Sequence, residues 1–228
     1  IENVMVSYCK GNSFNVLGGE ILLKKMVSYR CHLNDYKFDY GTQTKIVNSL
    51  AIRSPYISSP EGSRCIYVSS FDNIENVNTT KKSTLVNAEN LSLLNISESL
   101  KSDIEVGLVQ EAIFIGEDVS FKIDKSVISG FNPAVILDAK IKINSENLEK
   151  IGFTRTYFNN CKGNIFRNGY TNNDDLESWY GSRAFNNLYA NAPDQETFIN
   201  SGSTKNPDYR LRVNKIIASN DDYDDDDD

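Results

Sequence analysis

Apolar residues recur at every second position in several stretches of this 228-residue chain, and that period constrains its fold more than any other feature. From Val135 to Ile143, the residues Val135, Leu137, Ala139, Ile141 and Ile143 share one face of an extended chain, opposite Asp138, Lys140 and Lys142. Successive side chains of a strand point to opposite faces, so the pattern is that of a strand buried on one side. Ile21 to Leu33 alternates in the same way through Ile21, Leu23, Val27, Tyr29, Cys31 and Leu33, with breaks at Leu22, Lys25 and Met26. Further strands are expected at Cys65 to Phe71, Ala112 to Ile115, Val119 to Ile123 and Tyr209 to Val213. Gly116-Glu117-Asp118 reads as a hairpin connection, and Phe166-Arg167-Asn168-Gly169-Tyr170 as a type I′ hairpin tip, because Asn-Gly accepts positive φ. Half-buried strands joined by short turns predict a mainly β fold, an antiparallel sandwich or barrel-like sheet with one or two short helices; α+β is the alternative. No internal repeat is read at any fixed period.

Helical signals are fewer. Asp174 followed by Glu177 resembles a capping box, and Leu176, Trp179, Tyr180, Ala184, Leu188 and Tyr189 then follow at spacings of three and four, which predicts a helix over 175–190. Ser145 ahead of Glu146 to Ile151, with Gly152 behind, reads as one or two helical turns. Residues 85–110 fit either period. The chain then divides into a β-rich body over 1–190 and an extended C-terminal arm over 191–228 that is polar and punctuated by Pro193 and Pro207.

Charge is informative only once located. The formal net charge is −7, yet Asp221, Asp222 and Asp224 to Asp228 supply all of it, so the body is neutral. Dispersed basic residues on a neutral body disfavour nucleic-acid binding, which is driven by phosphate neutralisation. The apolar runs, such as Ala112 to Ile115, are far below the ~20 residues that span a bilayer. A chain that opens on Ile1-Glu2-Asn3 reads as a mature or truncated form. Three Asn-x-Ser/Thr triplets, at Asn78, Asn90 and Asn95, are about the number that chance provides in so Asn-rich a sequence, and they carry no argument for secretion.

Catalytic patterns are sparse. His32 is the single histidine, so any Ser-His or Cys-His mechanism must use it; the simpler reading is a solvated side chain beside Arg30. Cys9, Cys31, Cys65 and Cys161 lack the paired spacing of a zinc site, and the sequence implies no metal or other cofactor. Asp174, Asp175 and Glu177 lack a calcium-loop register and fit helix capping better. A glycosidase's carboxylate pair has no sequence signature. Tyr170, Trp179, Tyr180, Phe185 and Tyr189 fit a sugar-stacking platform or, more simply, buried packing.

The expectation that follows is a non-enzymatic structural subunit of a large assembly, with a virus or phage particle suggested by the Asn- and Ile-rich composition. Its partners are expected to be other protein subunits. Partner-binding residues are Arg210 and Arg212 on the polar face of the last strand, and Asp224, Asp225, Asp226, Asp227 and Asp228. Five adjacent aspartates repel one another and have nothing to bury, so a basic surface on a neighbour, or a cation, is needed to hold them. The second expectation is an extracellular β-sandwich that binds or cleaves glycans.

Overall fold

The computed structural model describes residues 1–59, 62–70, 82–96, 110–161, 165–169, 171–201, 203 and 205–212. Its strands are short, and all but β18 (Thr171–Asn172), β20 (Phe198–Asn200) and β21 (Asp208–Leu211) fall into three parallel sheets that the chain visits in turn. The first sheet holds β1 (Met5–Ser7), β4 (Val27–Tyr29), β7 (Leu50–Arg53), β10 (Ser92–Asn95), β13 (Val127–Ser129), β16 (Tyr157–Asn159) and β19 (Leu188–Ala190). The second holds β2 (Phe14–Leu17), β5 (Tyr36–Asp39), β8 (Ile66–Val68), β11 (Ile113–Ile115), β14 (Val135–Leu137) and β17 (Phe166–Asn168). The third holds β3 (Glu20–Lys24), β6 (Gln43–Val47), β9 (Thr84–Glu89), β12 (Val119–Asp124) and β15 (Ile151–Thr154). Away from the ends, each strand pairs with the strands three before and three after it. The chain therefore winds as a three-sided parallel β-solenoid, one strand per side in each rung.

Mainly β is right, and the antiparallel sandwich or barrel is not. The sequence pattern misled because these parallel sheets are covered mainly on their inner face. Alternation of buried and exposed residues ordinarily marks an antiparallel sheet, whereas parallel sheets usually carry helices on both faces. Rung length hid the repeat. Strands of the first sheet start 22, 23, 42, 35, 30 and 31 residues apart, so no fixed period exists to be found.

Inward side chains stack in columns along the solenoid. Leu23, Ile46, Ala88, Ile123 and Phe153 form one column of the third sheet, and Phe38, Val68, Ile115 and Leu137 one of the second. All nine are buried, and each contributes about 1.5–3 kcal/mol except Ala88.

A recurring corner joins the third sheet to the first. Lys25, Asn48, Asn90, Lys125 and Arg155 all adopt the left-handed conformation, with φ between 46° and 56°. The ladder continues through the bend: the Lys25, Asn48, Asn90 and Lys125 amides donate to Val47, Glu89, Asp124 and Thr154 carbonyls at 3.0 to 3.2 Å. The residue after the bend points inward, and where it is small and polar it serves the neighbouring rung. Ser49 Oγ accepts from the Met26 amide and Ser126 Oγ from the Leu91 amide, each at 3.0 Å. Such corners explain why Ile21–Leu33 is not one strand. It breaks at Lys25–Met26, Met26 turns inward, and Val27 and Tyr29 face outward, reversing the expected parity.

Other expectations shift for similar reasons. Gly116-Glu117-Asp118 is a corner, because β11 and β12 lie in different sheets. Val135–Ile143 is strand only to Leu137. The predicted hairpin forms between β17 and β18 (Thr171–Asn172), but its tip is one residue later, with Gly169 at φ 59°. Helix α1 (Ser145–Lys150) is capped by Asn144 rather than Ser145. The helix expected over 175–190 is α2 (Asp174–Tyr180) alone, capped by Asn173. Gly181 ends it, a single 3-10 turn covers Arg183–Phe185, and the chain re-enters the first sheet as β19.

Candidate functional site

The two ends of the solenoid are built differently. At the far end, the Phe153, Phe158, Phe166 and Tyr180 rings pack with centroids 4.7 to 6.3 Å apart. Leu176 and Tyr180 of α2 seal this cluster, and Tyr180 Oη donates to Ile151 O at 2.9 Å. Burial pushes the Tyr180 phenol well above its ordinary value. Glu177 accepts the Phe166 amide at 2.8 Å, so the carboxylate expected to cap its own helix instead ties that helix to β17.

The near end is open. Within the strand orders, β1, β2 and β3 each have a neighbour on one side only. Ile1 to Asn3 meet just the last part of β3, through Ile1 N to Leu22 O at 2.8 Å and Asn3 N to Lys24 O at 3.0 Å. Inward-facing Val6, Phe14, Val16 and Ile21 are half-buried, although Tyr36, Phe38 and Thr44 behind Phe14, Val16 and Ile21 are fully buried. Around them Met5 is 62%, Tyr8 58%, Leu17 54% and Leu22 50% exposed, so the rung presents a ring of apolar side chains and free main-chain edge.

Behind this open rung the interior turns polar. Arg53 is fully buried; its Nη1 donates to Asp35 Oδ2 at 2.9 Å and Leu33 O at 2.8 Å, and its Nη2 to Cys31 O at 3.0 Å and Ser58 Oγ at 3.3 Å. Ser28 donates to the other Asp35 oxygen and meets Ser13 at 2.6 Å. Burial pushes the Asp35 carboxyl up and Arg53 pulls it back. A buried charge is tolerated only when paired and hydrogen-bonded, and this one is both.

The C-terminal segment folds back onto the outer face of the first sheet. Helix α3 (Asp194–Thr197) leads into an antiparallel hairpin of β20 (Phe198–Asn200) and β21 (Asp208–Leu211). Phe198 is buried with Ile52, Leu94 and Val127, and Tyr209 and Leu211 pack against them, as the alternation Tyr209/Leu211 against Arg210/Arg212 indicated. Asn159 locks the segment in place: its Nδ2 donates to Ala192 O at 3.0 Å, Ser129 Oγ at 3.1 Å and Thr197 Oγ1 at 3.4 Å, and its Oδ1 accepts from Ala192 N at 3.0 Å. Ser129 Oγ reaches Asp194 at 3.4 Å, and burial raises the pKa of that carboxyl.

The sequence-predicted residues fall at this hairpin. Arg212 is exposed and reaches along its own segment, its Nε donating to Phe198 O at 3.0 Å and Gln195 O at 3.1 Å. Arg210 is exposed, pairs with Asp208 at 2.6 Å and lines a cleft of about 460 Å³ with Lys125, Arg155, Tyr157 and Leu211. Arg155 is itself bidentate on Asp124. Asp224 to Asp228 lie outside the described residues. His32 is exposed, as the solvated reading had it, and Cys31 beside it is buried.

Of the aromatic set, Tyr170 lies outside the described residues, Trp179 is half-buried 6.1 Å from the Phe185 ring, and Tyr189 stacks on Phe158 at 5.4 Å. These rings cap the last rungs. No group of three or more His, Cys, Asp or Glu side chains able to hold a metal occurs among the described residues, and none of their helices is long and apolar enough to cross a membrane. Sequence reasoning missed Asn159 and the open rung. An Asn at a strand end carries no signal of its own, and an open rung is visible only once the winding is known. No protein-family model, curated protein or solved structure matches the chain.

Proposed function

We propose that the chain is a structural subunit that joins a larger assembly by stacking further β-structure onto its first rung. The observation that carries this reading is the half-buried inward ring of Val6, Phe14, Val16 and Ile21, flanked by exposed Met5, Leu17 and Leu22. An unpaired edge with apolar side chains is a template for strand addition, in which main-chain hydrogen bonds supply affinity and side-chain pockets supply register. Repeat folds need polar end rungs to remain soluble alone. The docked C-terminal hairpin adds a second element of the same logic, because it presents exposed Arg210 on the outside of the solenoid, open to a neighbouring subunit. A virus or phage particle as the setting rests on composition alone.

Multi-angle light scattering over a concentration series tests the proposal. The 228-residue chain is expected to associate with rising concentration, and Leu17→Lys with Leu22→Lys to remain monomeric. A wild-type chain that stays monomeric throughout contradicts self-stacking. A chain that associates equally well with both lysines present contradicts the first rung as the joint.

A further inference from the structure

The open rung also carries a thiol directly over a second one. β1 passes through Tyr8, at φ 52°, into Cys9; β4 passes through Arg30, at φ 51°, into Cys31. The register Ser7 opposite Tyr29 continues through both bends. Tyr8 N donates to Tyr29 O at 3.0 Å and His32 N to Cys9 O at 2.7 Å, bonds of the parallel register that sets Tyr8 opposite Arg30 and Cys9 opposite Cys31. Cys9 therefore lies over Cys31, and its amide donates to Cys31 Sγ at 3.4 Å. Neighbouring strands run about 4.8 Å apart, inside the ~4.4–6.8 Å Cα separation that a disulfide bridges. Both thiols are free, with Cys9 partly accessible and Cys31 1% exposed behind it.

We propose that Cys9 and Cys31 form a cross-rung modification site, which a small-molecule disulfide such as oxidised glutathione converts to an intramolecular disulfide stapling the first rung to the second. The accessible Cys9 thiolate attacks the oxidant, forming a mixed disulfide and releasing one thiolate. Cys31, having lost its proton, attacks the Cys9 sulfur and releases the second. The protein loses two electrons and two protons, and the oxidant gains the two electrons as a pair of thiols. The other two cysteines are placed against such chemistry: burial pushes the Cys161 thiol up to about 11 and holds Cys65 well above its ordinary value, keeping both protonated. The edge rung has neighbours on one side only and opens first, so a link closing 22 residues acts where the solenoid is weakest.

Oxidation of the folded chain with oxidised glutathione, followed by alkylation, proteolysis and mass mapping, tests the site. The expected product is one Cys9–Cys31 linked peptide with Cys65 and Cys161 alkylated. Amide exchange at Tyr8 is expected to slow on the order of tenfold or more after oxidation. Cys9→Ser, at the accessible position, removes the product while circular dichroism stays unchanged. Four alkylated cysteines, a persistent glutathione adduct on Cys9, or a Cys9 link between two chains each overturns the proposal. Because the mapping uses the wild-type chain, its outcome does not depend on a variant's folding. It is also independent of assembly through the first rung.

Discussion

The two ends of the solenoid satisfy their interiors by opposite means. Behind the open rung, Asp35, Arg53, Ser28, Ser13 and Ser58 form a hydrogen-bonded polar core. Beneath α2, Phe153, Phe158, Phe166 and Tyr180 form an aromatic one. Aromatic area stabilises by burial, without directional demands. A buried ion pair adds little net stability over an apolar core of equal volume, but removing one partner is costly, so it specifies one arrangement more than it strengthens it. The contrast teaches that the far end is built to close the fold, while the near end is held in one conformation and left uncovered.

Substitutions at the two ends sharpen this contrast, and the largest effects are expected inside. Asp35→Ala strands the Arg53 guanidinium and should cost about 3–5 kcal/mol in denaturant unfolding. Phe153→Ala should cost a similar ~3–5 kcal/mol by leaving a cavity. A joint replacement of Asp35 and Arg53 by apolar residues of similar volume should recover most of the first loss. No such recovery is available at the aromatic end. If the joint replacement stays as unstable as Asp35→Ala, the polar core is not a specificity device.

Next in size is the latch of the C-terminal hairpin. Asn159→Ala removes the bonds to Ala192, Ser129 and Thr197 and leaves the Ala192 N–H and C=O unmet, a loss of about 2–3 kcal/mol confined to residues 192–211. Limited proteolysis should then cut between Asn191 and Leu211 while the first rung is unaffected. Uniform destabilisation would show that the hairpin and rungs open together.

The hairpin should also respond to pH. Burial raises the Asp194 pKa, so the stabilisation gained by its protonated form is complete below the ordinary aspartate value and is lost as pH rises through the raised one. Hairpin amides should therefore exchange more slowly, after correction for intrinsic rates, at mildly acidic than at neutral pH. Asp194→Asn should flatten that dependence. The smallest effect on stability is expected at the open rung, where Leu17→Lys and Leu22→Lys should each change unfolding by less than about 0.5 kcal/mol, since both side chains are half exposed.

Much of the local structure was legible. The strands at Ile113–Ile115 and Val119–Asp124, the Gly169 turn, and the buried face of Tyr209 and Leu211 all followed from period and turn chemistry. The winding was not. A half-buried strand reads alike in a solenoid and in a sandwich, and lysine and arginine at the left-handed corners, as at Lys25, Lys125 and Arg155, announce no turn. Arg210 and Arg212 are both exposed. The bonds from Arg212 Nε to the Phe198 and Gln195 carbonyls were not legible, because strand alternation does not say which main-chain groups a strand end brings within reach.

Hydrogen exchange compared between dilute and concentrated protein shows where the subunits join. Association through the first rung predicts new protection at Met5–Ser7, Phe14–Leu17 and Glu20–Lys24, with Tyr157–Asn159, Phe166–Asn168 and α2 unchanged. Protection that appears at the aromatic end, or on the C-terminal hairpin alone, would contradict it.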